Sequence, residues 1–245
     1  RGWPAAAASE RGPGEGGHAT EPGVPGEPAG PPQPFPTKPT PFARQARTEK
    51  DVSPYMPEAE QATWRERIRN ARNEGLFTPP SMRGTVTIPG VGGGASWGTA
   101  AVDPAKGYLY IVSKDAPAIV TITLPGNSAA DLKGKAVPHA PSKTPADGEF
   151  THYTAPYTQF VSQSSRLPSL SPPWFQLTAY DLNAGTIRWQ TPYGTVPSLA
   201  AQGHADTGVV QQQRGGPVVT AGGLILAATN DKKFRAYDPD TGKVI

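Results

Sequence analysis

The stretch from Leu177 to Trp189, LTAYDLNAGTIRW, returns almost letter for letter at Phe234 to Ile245 as FRAYDPDTGKVI. A chain that repeats such a unit is committed to a repeat architecture. Each copy reads as a strand ending in Ala-Tyr-Asp, a short turn closed by Gly185 or Gly242, and a second strand, which together make an antiparallel hairpin. The turn chemistry is explicit: Asp181 and Asp238 can accept backbone N–H groups two or three residues ahead, and the glycine supplies the positive φ at the loop exit. A weaker third copy, AVDPAKGYLY at Ala101 to Tyr110, sets Asp103 and Gly107 in the same places.

Short strands and such turns, repeated at about 40 to 50 residues, mark β-propeller blades ahead of solenoids and sandwiches. Trp189 closes the pattern A-x-D-x-x-x-G-x-x-x-W, whereas the second copy stops at Ile245, one position before the equivalent Trp. The expectation is a chain that ends inside its own repeat. Counting hairpins gives one blade from about Gly94 to Gly194, interrupted by a long insertion, and most of another from Gly215 to Ile245. The fold class is therefore all-β: a partial β-propeller of about two blades, preceded by a disordered Pro/Gly-rich N-terminus and one helix. Two blades alone would leave faces and strand edges open to water.

Three regions follow. Residues 1–41 are low-complexity and rich in Gly, Pro, Ala and Glu, too poor in large apolar side chains to offset the entropy of ordering. They read as disordered to about Gly30 and then as an extended polyproline-like spacer, anchored by Phe35 and by Phe42 just beyond it. Residues 42–83 form a linker holding a helix at 57–73. Pro57 starts it, Glu58 and Glu60 favour its first turn and Gly75 ends it. Trp64, Ile68 and Ala71 make a narrow apolar stripe, and Arg65, Arg67, Arg69 and Arg72 with Glu66 and Glu74 cover the solvated remainder. Residues 84–245 are the partial propeller, with a polar tract between Gly126 and Pro173 read as a loop, and Ala221-Gly222-Gly223 as a tight turn.

Composition excludes more than it selects. With 23 basic and 20 acidic side chains the net charge is only +3, so no nucleic-acid partner is implied. Zero Cys removes disulfides, thiolate nucleophiles and Cys-liganded zinc. No apolar run reaches the roughly 18 to 20 residues of a membrane span. The histidines, at 18, 139, 152 and 204, share no ligand spacing, and the Asp of each hairpin is structural. GVGGGASWG lacks the Lys of a phosphate-binding loop, and no Ser has the elbow context of a nucleophile.

The blocks GVGGGASWGTAAVDPAKGYLYIVS, PPWFQLTAYDLNAGTIRWQTPYGTV and GGPVVTAGGLILAATNDKKFRAYDPDTGK, in this order and spacing, resemble the C-terminal half of quinoprotein, pyrroloquinoline quinone-dependent, glucose dehydrogenases. The likeness runs from about Pro32 to Ile245. It implies an eight-bladed propeller that holds pyrroloquinoline quinone (PQQ) and calcium near its axis in the periplasm. Such a protein oxidises an aldose sugar or an alcohol and passes the electrons to a quinone or cytochrome acceptor. In that family the catalytic carboxylate and the calcium ligands lie mainly in blades upstream of these blocks. No catalytic or metal-binding residue is therefore assigned here, and the chain alone is expected to be catalytically incomplete.

The resemblance also implies which residues touch the cofactor. Ser96 stands where relatives commonly have Asn, and its hydroxyl can still donate one hydrogen bond. Trp97 either packs between blades as a strand residue or stacks on the quinone. Gln213 could hydrogen-bond and Arg214 could pair with a cofactor carboxylate. The alternative to an enzyme is a non-enzymatic propeller that serves as a protein-interaction scaffold in the cell envelope. A third reading is a product without activity.

Overall fold

The computed structural model describes residues 38–75, 78–123, 153–210 and 215–245, with Trp97 described in its backbone only. The expectations for residues 1–37, Phe35 included, lie outside the described residues. In chain order the elements are helix α1 (Glu58–Asn70), strands β1 (Thr85–Thr87), β2 (Gly94–Asp103), β3 (Tyr108–Lys114), β4 (Ala118–Val120), β5 (Tyr157–Gln159), β6 (Phe175–Asp181) and β7 (Thr186–Pro192), a short helix α2 (Pro197–Ala200), and strands β8 (Val218–Val219), β9 (Ile225–Thr229) and β10 (Lys233–Tyr237).

The first blade is the antiparallel sheet β2-β3-β6-β7, and the second is β8-β9-β10. Past Tyr237 the last residues start a fourth strand, with Asp238 N donating to Lys243 O at 2.8 Å and Ile245 N to Ala236 O at 2.9 Å. All three hairpins close by one rule. In each, the Asp Oδ1 accepts from two N–H groups ahead: Ala105 and Lys106 for Asp103, Asn183 and Ala184 for Asp181, Asp240 and Thr241 for Asp238. The glycine N–H then returns to the Asp carbonyl, from Gly107, Gly185 and Gly242, at φ of 72°, 68° and 69°.

Alternation along the strands sends Tyr110, Val112, Leu177 and Ala179 to one face of the first blade, where they share a buried core with Ile225, Ala227 and Tyr237 of the second. Tyr193 stacks on Tyr237 at 6.3 Å. Trp189 bridges the blades: its Nε1 donates to Pro239 O at 3.0 Å, and its ring lies so close to Gly242 that a Cβ there would fall 2.5 Å from it. Below this, the fully buried carboxylate of Asp231 binds the Arg235 guanidinium and accepts from Thr195 N at 3.2 Å, tying the second blade to the loop that leaves the first.

The open faces are apolar. On the far side of the second blade Val218 is 62% and Phe234 72% exposed. On the far side of the first, Leu109, Ile111 and Tyr180 line a groove of about 420 Å³ with residues 39–45. The Tyr180 hydroxyl donates to Thr40 O, and Gln190 Nε2 donates to Phe42 O at 3.0 Å, so this segment is held to the blade through its backbone carbonyls.

Three expectations change. The helix stops at Asn70, not at residue 73, because Ala71 turns extended and the chain joins a sheet edge: Arg72 N donates to Gly84 O and Val86 N to Arg72 O. That edge also buries Arg72, expected on the solvated face, where it grips Glu74 at 2.7 Å. The polar tract is not loop throughout, for β5 pairs with β4, and β4 with β1, as a satellite sheet. Within it Phe160 is buried and stacks on Trp64 at 4.6 Å, while the Arg47 guanidinium covers its ring at 4.0 Å. The apolar stripe Trp64, Ile68, Ala71 is buried in this cluster as expected.

Candidate functional site

The site lies at the end of the first blade opposite the Asp turns. A glycine-rich turn leads into β2, with Gly93 N donating to Gly90 O at 3.0 Å; a Cβ on Gly93 would meet Pro89 O at 1.8 Å, so only glycine permits it. The ladder then breaks. Ala95 pairs with Ser113 and Ala100 with Ile111, so Ser96 to Thr99 stand opposite Val112 alone. A bulge of this size unpairs its residues and re-aims them, as bulges beside functional sites do.

The bulge and the glycine turn enclose a cavity of about 220 Å³ lined by Gly92, Gly94, Ser96, Thr99, Lys114 and Phe175, among others. Thr99 Oγ1 is committed to Ser96 O at 2.6 Å, whereas the Ser96 hydroxyl is engaged by no other described residue. Lys114 ends β3, directly across from Gly94 and Phe175. Its ammonium reaches over the Phe175 ring at 5.7 Å, and burial pushes its pKa below the usual lysine value. The next residue, Asp115, serves a different partner: Arg44 Nε lies 3.0 Å from its Oδ2. Burial raises that carboxyl and the Arg44 charge opposes the rise.

The four residues expected at the cofactor fall out unequally. Ser96 lines the cavity. Trp97 sits on the bulge, with its side chain outside the described residues. Gln213 and Arg214 also lie outside them, but Gly216, just after, is placed: a Cβ there would meet Gly98 O at 2.5 Å and Thr99 at 2.8 Å. The GGASWG block and the residues following QR therefore meet backbone to backbone, which only a glycine allows.

Lys114 and Thr99 are polar lining residues that sequence reasoning missed. Counting back from the Asp103 turn without a bulge sets Gly94 opposite Pro117 rather than Lys114. Among the described residues no group of three or more His, Cys, Asp or Glu is placed to hold a metal.

Tested against the tricarboxylate quinone of the resemblance, the cavity fits one part of it. The Ser96 hydroxyl offers a donor at the cavity wall, and the Lys114 ammonium offers positive charge.

Comparison with known proteins shows the family. A family described as "PQQ: Glucose/ethanol/alcohol dehydrogenase, beta-propeller domain" matches residues 16–245. The chain is similar to the glycerol dehydrogenase large subunit of Gluconobacter oxydans, 32% identical over 93% of this chain and 32% of that protein. It is similar to the quinate/shikimate dehydrogenase (quinone) of Acinetobacter baylyi, 29% identical over 90% of this chain and 28% of that protein. With the quinoprotein glucose dehydrogenase of Escherichia coli it shares 30% identity over 75% of this chain and 24% of that protein. The chain thus spans about a third or less of the length of these curated relatives. From the repeat, the inter-blade Trp189 contact and this match across most of its length, the chain belongs to the β-propeller domain family of PQQ-dependent glucose, ethanol and alcohol dehydrogenases.

Proposed function

We propose that the protein carrying this domain oxidises a sugar, alcohol or polyol hydroxyl with PQQ and passes the electrons to a quinone or cytochrome acceptor in the periplasm. The observation that supports it most is the bulged edge strand β2 of a PQQ-family blade, which opens a glycine-walled cavity at Ser96 and holds Gly216 of the next blade against Gly98.

In this reading the quinone, when bound, supplies the two-electron oxidant for the substrate carbon. The chain's own residues orient it. Ser96 would donate a hydrogen bond to it, the glycines at 92 and 94 would leave the backbone accessible, and Val112 and Phe175 would shield the site from water. The carboxylate that takes the substrate proton and the ligands of a calcium ion are assigned to further blades, and these dock on the apolar faces around Leu109, Ile111, Val218 and Phe234. Taken alone, these two blades are then catalytically incomplete.

The test is titration of the whole metal-free, cofactor-free protein that carries this domain with PQQ and calcium, followed by dye-linked oxidation of glucose, glycerol, ethanol and quinate. Saturable binding with a shift in the quinone absorbance, and turnover of at least one substrate, is expected. Absence of both would favour the envelope scaffold.

A further inference from the structure

One side chain holds both ends of the excursion, residues 115–174, that leaves the first blade beside the cavity and returns to it. Arg44 Nε lies 3.0 Å from Asp115 Oδ2, Nη1 donates to Ser171 O at 2.9 Å and Nη2 to Pro173 O at 3.3 Å. Asp115 directly follows the last residue of β3, and Pro173 stands two residues before Phe175, the first of β6. The two ends also meet directly, Asp115 N donating to Trp174 O at 3.0 Å. A planar guanidinium presents its donors in a fixed fork and so sets the spacing of the groups it binds, which a lysine ammonium on its flexible stem does not.

The cavity walls follow from these ends. Ala116 N donates to Pro89 O at 2.7 Å, and the two backbones run so close that a Cβ on Gly90 would fall 1.7 Å from Ala116 O. The turn held in this way supplies Gly92, Gly93 and Gly94 to the cavity, and Phe175 supplies the wall on the β6 side. Arg44 stands behind them, lining the neighbouring groove that shares Gly94 with the cavity. The Asp115 side chain is only 2% exposed and that of Arg44 25%. A carboxylate buried to this degree needs its partner, unlike one on the surface, so the placement of residues 115–117 depends on Arg44.

We infer, on the cofactor reading above, that Arg44 is a positioning residue: by binding Asp115, Ser171 and Pro173 at once it fixes the glycine turn and Phe175 at the spacing that takes the quinone, without touching the quinone itself. Linkage makes the effect reciprocal. A fork that favours the cofactor-binding arrangement is tightened by bound cofactor to the same degree.

The experiment uses the whole protein that carries this domain, with calcium in excess, and follows quinone absorbance as PQQ is added. The proteins compared are wild type, Arg44→Lys, Arg44→Met and the double variant Arg44→Met/Asp115→Asn, which leaves no buried carboxylate without its cation, each checked for native circular dichroism. Arg44→Met and the double variant should bind PQQ roughly 5- to 150-fold more weakly, the usual span of such couplings. Arg44→Lys, which keeps the charge and loses the fork, should fall short of wild type. Hydrogen exchange gives the second readout: in wild type PQQ should slow the Asp115 and Ala116 amides by more than those of β9 and β10, and that difference should shrink in the double variant.

A natively folded double variant or Arg44→Lys that binds PQQ as wild type does would overturn the assignment while leaving the cofactor reading intact. So would wild-type Asp115 and Ala116 amides that PQQ slows no more than those of β9 and β10, a result that requires no variant to fold. Wild type that binds no PQQ would overturn both readings together.

Discussion

Gly242 and Gly185 occupy the same position of the same turn with φ of 69° and 68°, and they differ only in what faces them. A Cβ on Gly185 would find its nearest neighbour, the Lys38 Cβ, at 4.0 Å, whereas one on Gly242 would fall 2.5 to 2.9 Å from three ring atoms of Trp189. Alanine at either site bears the left-handed backbone cost of about 1–2 kcal/mol. At 242 it must also displace a ring held by the Pro239 carbonyl and by Tyr110, whose ring centroid is 5.9 Å away. Overpacking of that kind adds about 1–3 kcal/mol. Gly242→Ala should therefore lose about 2–5 kcal/mol against about 1–2 for Gly185→Ala, measured by urea unfolding with coincident fluorescence and circular dichroism transitions. Trp189→Ala alone should cost about 3 kcal/mol. In that background the extra penalty at 242 should vanish, leaving only the backbone cost. Equal losses at the two glycines, or a penalty at 242 that survives removal of the tryptophan, would show that the ring does not couple the blades.

Asp231→Asn should destabilise by about 3 kcal/mol, the cost of breaking a buried pair, and the urea midpoint reports it. Burial raises the Asp231 carboxyl, but hydrogen bonds from Arg235 and Thr229 outweigh that and bring it down to about 2 from 3.8. Its contribution is thus complete above about pH 4 and is lost as the pH falls towards 2; wild type should lose stability across that window more steeply than Asp231→Asn. Phe160→Ala should cost about 3–5 kcal/mol locally. Hydrogen exchange should then quicken in α1 and β1 and stay slow in β3 and β6, and uniform loss of protection would mean that the satellite and the blade fold as one unit.

What the sequence showed and what it hid divide along physical lines. The Asp103, Asp181 and Asp238 turns were legible because each is closed by its own backbone and one nearby carboxylate. The Trp64, Ile68, Ala71 stripe was legible because helical period is local. Strand β5, Tyr-Thr-Gln, is exposed at all three positions, so it has no alternation to read, and only its distant partner β4 makes it a strand. The helix end at Asn70 and the burial of Arg72 depend on a hydrogen bond to Gly84 that no local rule supplies. Lys114 was hidden by the bulge, since the register of β3 against β2 shifts by three residues there. Ser96 was found from resemblance, and its place in the cavity follows from that same bulge.

Lys114 and Phe175 are paired across β3 and β6, so the excursion between them, residues 115–174, departs and returns through a single rung at the cavity mouth. Its ends are pinned a strand spacing apart whatever its length, and the closure entropy of such a detour grows only with the logarithm of its length. Changes in the length of the stretch between β4 and β5 should therefore leave the blade's ladder in register. Tolerance of length change and the register of the ladder are thereby carried by separate stretches of the same polypeptide.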